Sequence, residues 1–72
     1  MAERVRIEIG FAGGQALTIV VDENAADDLQ REIGGEGAIT LEAEDGRYTV
    51  ALRRVAYLRR FAREARVGFG SG

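Results

Sequence analysis

Apolar and polar residues alternate from the start of the chain. Val5, Ile7, Ile9 and Phe11 are separated by Arg4, Arg6 and Glu8, and Leu17, Ile19 and Val21 alternate with Ala16, Thr18 and Val20. A period of two places each set on one face of a strand, so two strands with a shared buried face are predicted. The intervening Ala12-Gly13-Gly14-Gln15 must make the turn. If Gly13-Gly14 were a two-residue turn, Ile9 would face Thr18 and the apolar sets would fall on opposite sides of the sheet. Pairing Phe11 with Leu17, Ile9 with Ile19 and Ile7 with Val21 keeps them together. That pairing needs a loop of three or five residues with a glycine at positive φ.

The period then changes. In residues 22–37, DENAADDLQREIGGEG, Ala26, Leu29 and Ile33 fall on one helical stripe. Asn24 is the expected cap of the first turn, Asp27 and Asp28 lie near the positive end of the dipole, and Gly34 is placed to take the left-handed position after Ile33. The helix is about ten residues long, as that punctuation requires.

Residues 38–52, AITLEAEDGRYTVAL, return to a period of two. Asp45-Gly46 predicts a type I′ hairpin that aligns Ala43 with Tyr48, Leu41 with Val50 and Ile39 with Leu52, with Glu42 opposite Thr49 and Glu44 and Arg47 flanking the turn. The order is hairpin, helix, hairpin: a ββαββ-like antiparallel sheet with the helix on its apolar face. The expected class is a small single-domain α+β fold over 1–67, with 68–72 a flexible tail.

Residues 53–66, RRVAYLRRFAREAR, hold six arginines and one glutamate and admit two structures. As a helix, the segment would gather Val55, Leu58, Ala62 and Ala65 on one side, with Phe61 at the margin and Arg54 breaking the stripe. As extended chain, it would kink at Arg53-Arg54 and continue as a strand over 55–58 with Val55 and Tyr57 on one face. The strand is the preferred reading, followed by helical or irregular chain from Arg59 to Arg66.

Composition narrows the function. The chain has 72 residues with no His and no Cys, and its one serine or threonine outside the strands is Ser71 in the tail. The usual nucleophile and base pairs cannot be assembled from such a set, nor can a disulfide or a thiolate metal site. Glu42 with Glu44, and Asp22 with Glu23, read as solvated strand-face and cap charges. The acids of residues 22–33 lack the central glycine of a calcium loop. Gly34-Gly35-Glu36-Gly37 follows a helix, has no lysine and carries a glutamate, so it reads as a connector and not a phosphate cradle. No catalytic residue, metal, cofactor or small-molecule substrate is expected. An enzymatic reading would need chemistry supplied by a partner chain or a bound metal. The apolar runs are too short to span a membrane, and the N-terminus has no secretion pattern, so the default expectation is a cytoplasmic location.

Charge divides the chain. Residues 1–46 hold eleven acids against three arginines, and residues 47–72 hold seven arginines against one acid. The halves attract, within the fold or between copies. A core this small also gains from added buried area. The leading expectation is a non-enzymatic protein-interaction or self-assembly module, a homo-oligomer or one with a protein partner. Its contact surface is placed at Tyr57, Arg59, Arg60, Phe61, Arg63 and Arg66. The competing reading is a regulatory single-stranded RNA or DNA binder using the same arginines, with the aromatics as stacking platforms. It is the less favoured, because the sequence pI is about 5.0.

Overall fold

The computed structural model describes residues 3–62. It contains β1 (Arg4–Phe11), β2 (Ala16–Asp22), α1 (Glu23–Glu32), β3 (Ala38–Ala43), β4 (Gly46–Ala51), a single 3₁₀ turn (Leu52–Arg54) and β5 (Val55–Arg60). The strands form one antiparallel sheet in the order β4-β3-β2-β1-β5. This is the expected small α+β domain with β5 added beside β1. The expectations for Arg63, Arg66 and the tail lie outside the described residues.

The connection from β4 to β5 dictates the sheet's shape. These strands are its two edges, four spacings or about 19 Å apart if the sheet were flat. Four residue steps separate Ala51 from Val55, a reach of at most about 14 Å fully extended and less through a 3₁₀ turn. The sheet must therefore curl until its edges approach. Hydrogen bonds hold the crossing in place: Leu52 N–H donates to the Gly37 carbonyl at 3.0 Å, and Ala12 N–H donates to the Arg54 carbonyl at 2.8 Å. β2 and β3 meet only where Val21 faces Ala43, with Glu44 N–H donating to the Val20 carbonyl at 3.1 Å. The curl opens there.

Curling puts one face of every strand inside. Ile7, Ile9, Ile19, Val21, Leu41, Val50, Leu52 and Val55 are buried, and Ala26 and Leu29 of α1 complete the core. The helix packs on β1, β2 and β3. It starts two residues earlier than the sequence suggests: Asp22, not Asn24, occupies the cap, with extended φ and ψ of −68° and 149°. Glu23 N–H donates to the Glu3 carbonyl at 2.7 Å, so the chain supplies a backbone acceptor to one of the orphan donors of the first turn. Gly34 takes positive φ (83°) after the helix, as expected.

Both hairpins keep the expected faces with registers displaced by two residues. In the first, Ile9 faces Leu17, Ile7 faces Ile19 and Val5 faces Val21, around a five-residue loop in which Gly13 and Gly14 have φ of 107° and 95°. In the second, Leu41 faces Tyr48, Ile39 faces Val50, Thr40 faces Thr49 and Glu42 faces Arg47. The turn there is centred on Glu44-Asp45, not Asp45-Gly46. A type I′ turn on Asp45-Gly46 would place Asp45 at positive φ, whereas every described residue at positive φ is a glycine. Leu52, released from the ladder, starts the 3₁₀ turn and is buried.

β5 is extended through Arg60, so the expectation of helical or irregular chain from Arg59 is corrected for Arg59 and Arg60. A bulge changes its faces: Val55 pairs with Phe11 and Tyr57 with Gly10, leaving Ala56 as the extra residue. Val55 therefore points into the core and Tyr57 outward, not to one face as simple alternation requires.

Candidate functional site

The outer face of β1 and β5 brings together residues far apart in the sequence. Gly10 faces Tyr57 and Glu8 faces Arg59 across the ladder. Tyr57 lies flat over Gly10, so closely that a β-carbon there would stand 1.9 Å from its Cε2. The glycine gives the ring its seat, an arrangement in which an aromatic covers the backbone that a glycine leaves bare. The Tyr57 hydroxyl donates to Glu8 Oε2 at 2.9 Å, and Arg59 Nη1 donates to Glu8 Oε1 at 3.4 Å. The carboxylate acceptor raises the Tyr57 hydroxyl above the ordinary phenol pKa; burial and the Glu8 charge add to the shift, and Arg59 opposes it.

Phe61 extends this cluster. Its N–H donates to the Arg6 carbonyl at 3.0 Å, which holds it beside β1 beyond the last residue of β5. The Arg59 guanidinium lies 4.4 Å and that of Arg6 5.4 Å from the ring centroid. Both distances are within cation–π range, each contact worth about 0.5–1 kcal/mol at an exposed site. Tyr57 remains 47 % exposed, the one exposed large hydrophobic among the described residues.

Arg60 belongs elsewhere. It faces Ile7 on the inner side of the ladder, and its guanidinium bonds Asp27 of α1. Its aliphatic stem covers the margin of the core, and Nε is buried without a partner among the described residues. Of the six residues expected at the contact surface, the fold gathers Tyr57, Arg59 and Phe61, sends Arg60 to the helix, and leaves Arg63 and Arg66 outside the described residues.

Sequence reasoning passed over Glu8, Gly10 and Arg6, which complete the cluster. Their signal was present as an interruption: Gly10 breaks the charged outer stripe of Arg4, Arg6 and Glu8 in a strand interior, where glycine marks the close approach of another group.

A second feature is a groove of about 270 Å³ at the loop end of the curled sheet. Phe11 and Leu17 form one wall, Tyr48, Val50 and Ala51 the other, with Arg54 at its end. Tyr48 is fixed by its hydroxyl, which donates to Asp45 Oδ2 at 2.8 Å. That bond raises its pKa, with burial and the Asp45 charge adding to the shift. Among the described residues no group of three or more acids is placed to hold a metal ion, and no helix is long and apolar enough to cross a membrane.

Fold and site together define a small α+β domain whose prominent outer feature is a cluster of aromatics, guanidiniums and one carboxylate. No family model matches the chain, and no curated protein or solved structure matches it significantly, so its chemistry rests on its own residues.

Proposed function

We propose that this chain is a non-enzymatic interaction module that contacts another protein chain, in the first instance a second copy of itself, through the outer face and free edge of β5. The observation that carries this reading is the ordered Tyr57–Arg59–Phe61 cluster beside a strand that has β1 on one side and no strand on the other among the described residues. Tyrosine, phenylalanine and arginine are enriched at interface centres, where rigid rings and planar guanidiniums bury area at low entropic cost. The unpaired backbone of an edge strand adds hydrogen-bonding capacity directed at another chain. The lack of His and Cys supports a role without catalysis.

The nucleic-acid reading draws less support. The Arg59 and Arg60 guanidiniums are each engaged by a carboxylate of their own chain, which lowers what they offer to a phosphate. Light scattering of the full chain from micromolar to millimolar concentration tests the proposal. The expected result is a mass that rises with concentration and returns to that of one chain in a Tyr57→Ser, Phe61→Ser double variant. A single-chain mass throughout removes self-assembly. Salt-sensitive retention of a single-stranded oligonucleotide, lost in Arg59→Gln, would favour the rival.

A further inference from the structure

We infer that the groove between the first hairpin and β4 is a docking site for an extended peptide of a protein partner, carrying one apolar anchor side chain with an acidic residue beside it. The site uses none of the residues of the Tyr57–Arg59–Phe61 face. A chain that proves monomeric still presents it.

Charge singles out this groove. Of the eight described arginines, six have a partner: Arg4 pairs with Asp22, Arg31 with Asp28, Arg47 with Glu42, Arg59 with Glu8, Arg60 with Asp27, and Arg6 lies against Phe61. Arg53 and Arg54, adjacent in the 3₁₀ turn and both exposed, pair with no carboxylate and no ring among the described residues. In a domain with eleven carboxylates against those eight arginines, Arg54 lines the groove itself, and with its chain neighbour Arg53 it forms a local positive site on a negative background.

Shape and polarity fix the occupant. A volume of about 270 Å³ lies below the usual range of small-molecule clefts, about 300–1,000 Å³. It accommodates an anchor side chain or two between Phe11, Leu17 and Val50. The charges near the groove also differ along its length, with Tyr48 bound to the Asp45 carboxylate toward one end and Arg54 at the other. An acid on the ligand is repelled at the Tyr48 end and attracted at the Arg54 end, which places the acidic residue on one side of the anchor. A nucleic acid is the poorer fit: its successive phosphates would extend from two guanidiniums onto a net acidic surface.

Arg54 is suited to a clean test. Its backbone carbonyl accepts the Ala12 N–H, whereas its exposed side chain bonds nothing among the described residues, so Arg54→Gln leaves the fold intact, as circular dichroism will verify. The probe is the blocked peptide acetyl-Ser-Phe-Glu-Leu-Glu-Ser-amide, titrated into the isotope-labelled full chain and followed by amide chemical shifts. Controls are its twin with glutamine for each glutamate and a short oligothymidylate. The expected result is a set of shifts confined to Phe11, Leu17, Tyr48, Val50 and Arg54. Binding is about fivefold weaker for the neutral twin and for Arg54→Gln, the size of one exposed charge pair. Equal binding of the neutral twin, shifts centred on Tyr57 and Phe61, tighter binding of the oligothymidylate in the groove, or no shifts at millimolar peptide would each overturn the assignment.

Discussion

Replacing Gly10 by alanine tests whether the outer cluster is built on that glycine. Gly10 does not sit at positive φ, so its backbone accepts an L-residue without strain. Taken alone, the change would stabilise the domain by about 0.4–1 kcal/mol through the unfolded chain. The new methyl, however, would stand 1.9, 2.3 and 2.5 Å from Cε2, Cζ and Cδ2 of Tyr57. Ordinary contact begins at 3.4 Å, so the ring must retreat by 1.5 Å (3.4 less 1.9), and its hydroxyl leaves Glu8. Residues in direct contact couple by about 0.5–3 kcal/mol. The coupling here should lie near the middle of that range and reverse the sign of the substitution. We expect Gly10→Ala to lower Tm by about 5 °C in the parent chain and to raise it by a few degrees in a Tyr57→Ala background, since about 1 kcal/mol moves Tm by about 4–8 °C in a domain of this size. Thermal melts of the four proteins, followed by circular dichroism, measure the cycle. An equal effect of Gly10→Ala in both backgrounds would refute the seating of Tyr57 on Gly10. The same variant, which keeps every polar group of the cluster, should also weaken self-association.

Three further outcomes follow. Leu29 is fully buried beneath the sheet, so Leu29→Ala should cost about 2–5 kcal/mol and lower Tm by at least about 10 °C; a smaller drop would mean that the helix is not part of the core. Asp27→Asn strips Arg60 of its carboxylate where Nε is already buried without a partner, at a cost of about 1 kcal/mol, whereas Arg60→Met keeps the stem and removes the charge, within about 0.5 kcal/mol of the parent. Denaturant titration separates the two, and equal costs would contradict the account. Both phenols are raised by their carboxylate acceptors; because the folded value exceeds the unfolded one, near 10, the stability they add is full below that pH and lost as pH rises through the folded value. Tyrosinate absorbance should show both groups titrating above the ordinary range, with Glu8→Gln lowering one and leaving the other, and an unchanged pair of midpoints would count against the Glu8 bond.

Much of the sheet was legible because alternation is a local signal. Val5, Ile7 and Ile9, or Leu41 and Ile39, declare one face whatever they pair with, and a shift of two residues preserves that face. The sequence therefore specified the parity of both registers but not their value. In the second hairpin the turn moved back by one residue, to Glu44-Asp45, with Gly46 the first residue of β4. The bulge at Ala56 was not legible: nothing local to Val55 and Tyr57 shows that the neighbouring strand will need one inside and the other outside.

The arginine row shows the limit most clearly. Composition alone placed six guanidiniums in one segment and left carboxylate, phosphate and water all as candidates for them. The fold distributed two of them to Glu8 and Asp27, residues 51 and 33 positions away in the chain, and left Arg53 and Arg54 without a carboxylate among the described residues. The strand faces of the two hairpins, the helix stop at Gly34 and the loop glycines Gly13 and Gly14 are decided by interactions over a few residues, so the sequence by itself determined them. The partner of β5, the curl that a three-residue connector imposes, and the choice of which charges are neutralised depend on closing long loops around a shared core, and only the tertiary structure decided those.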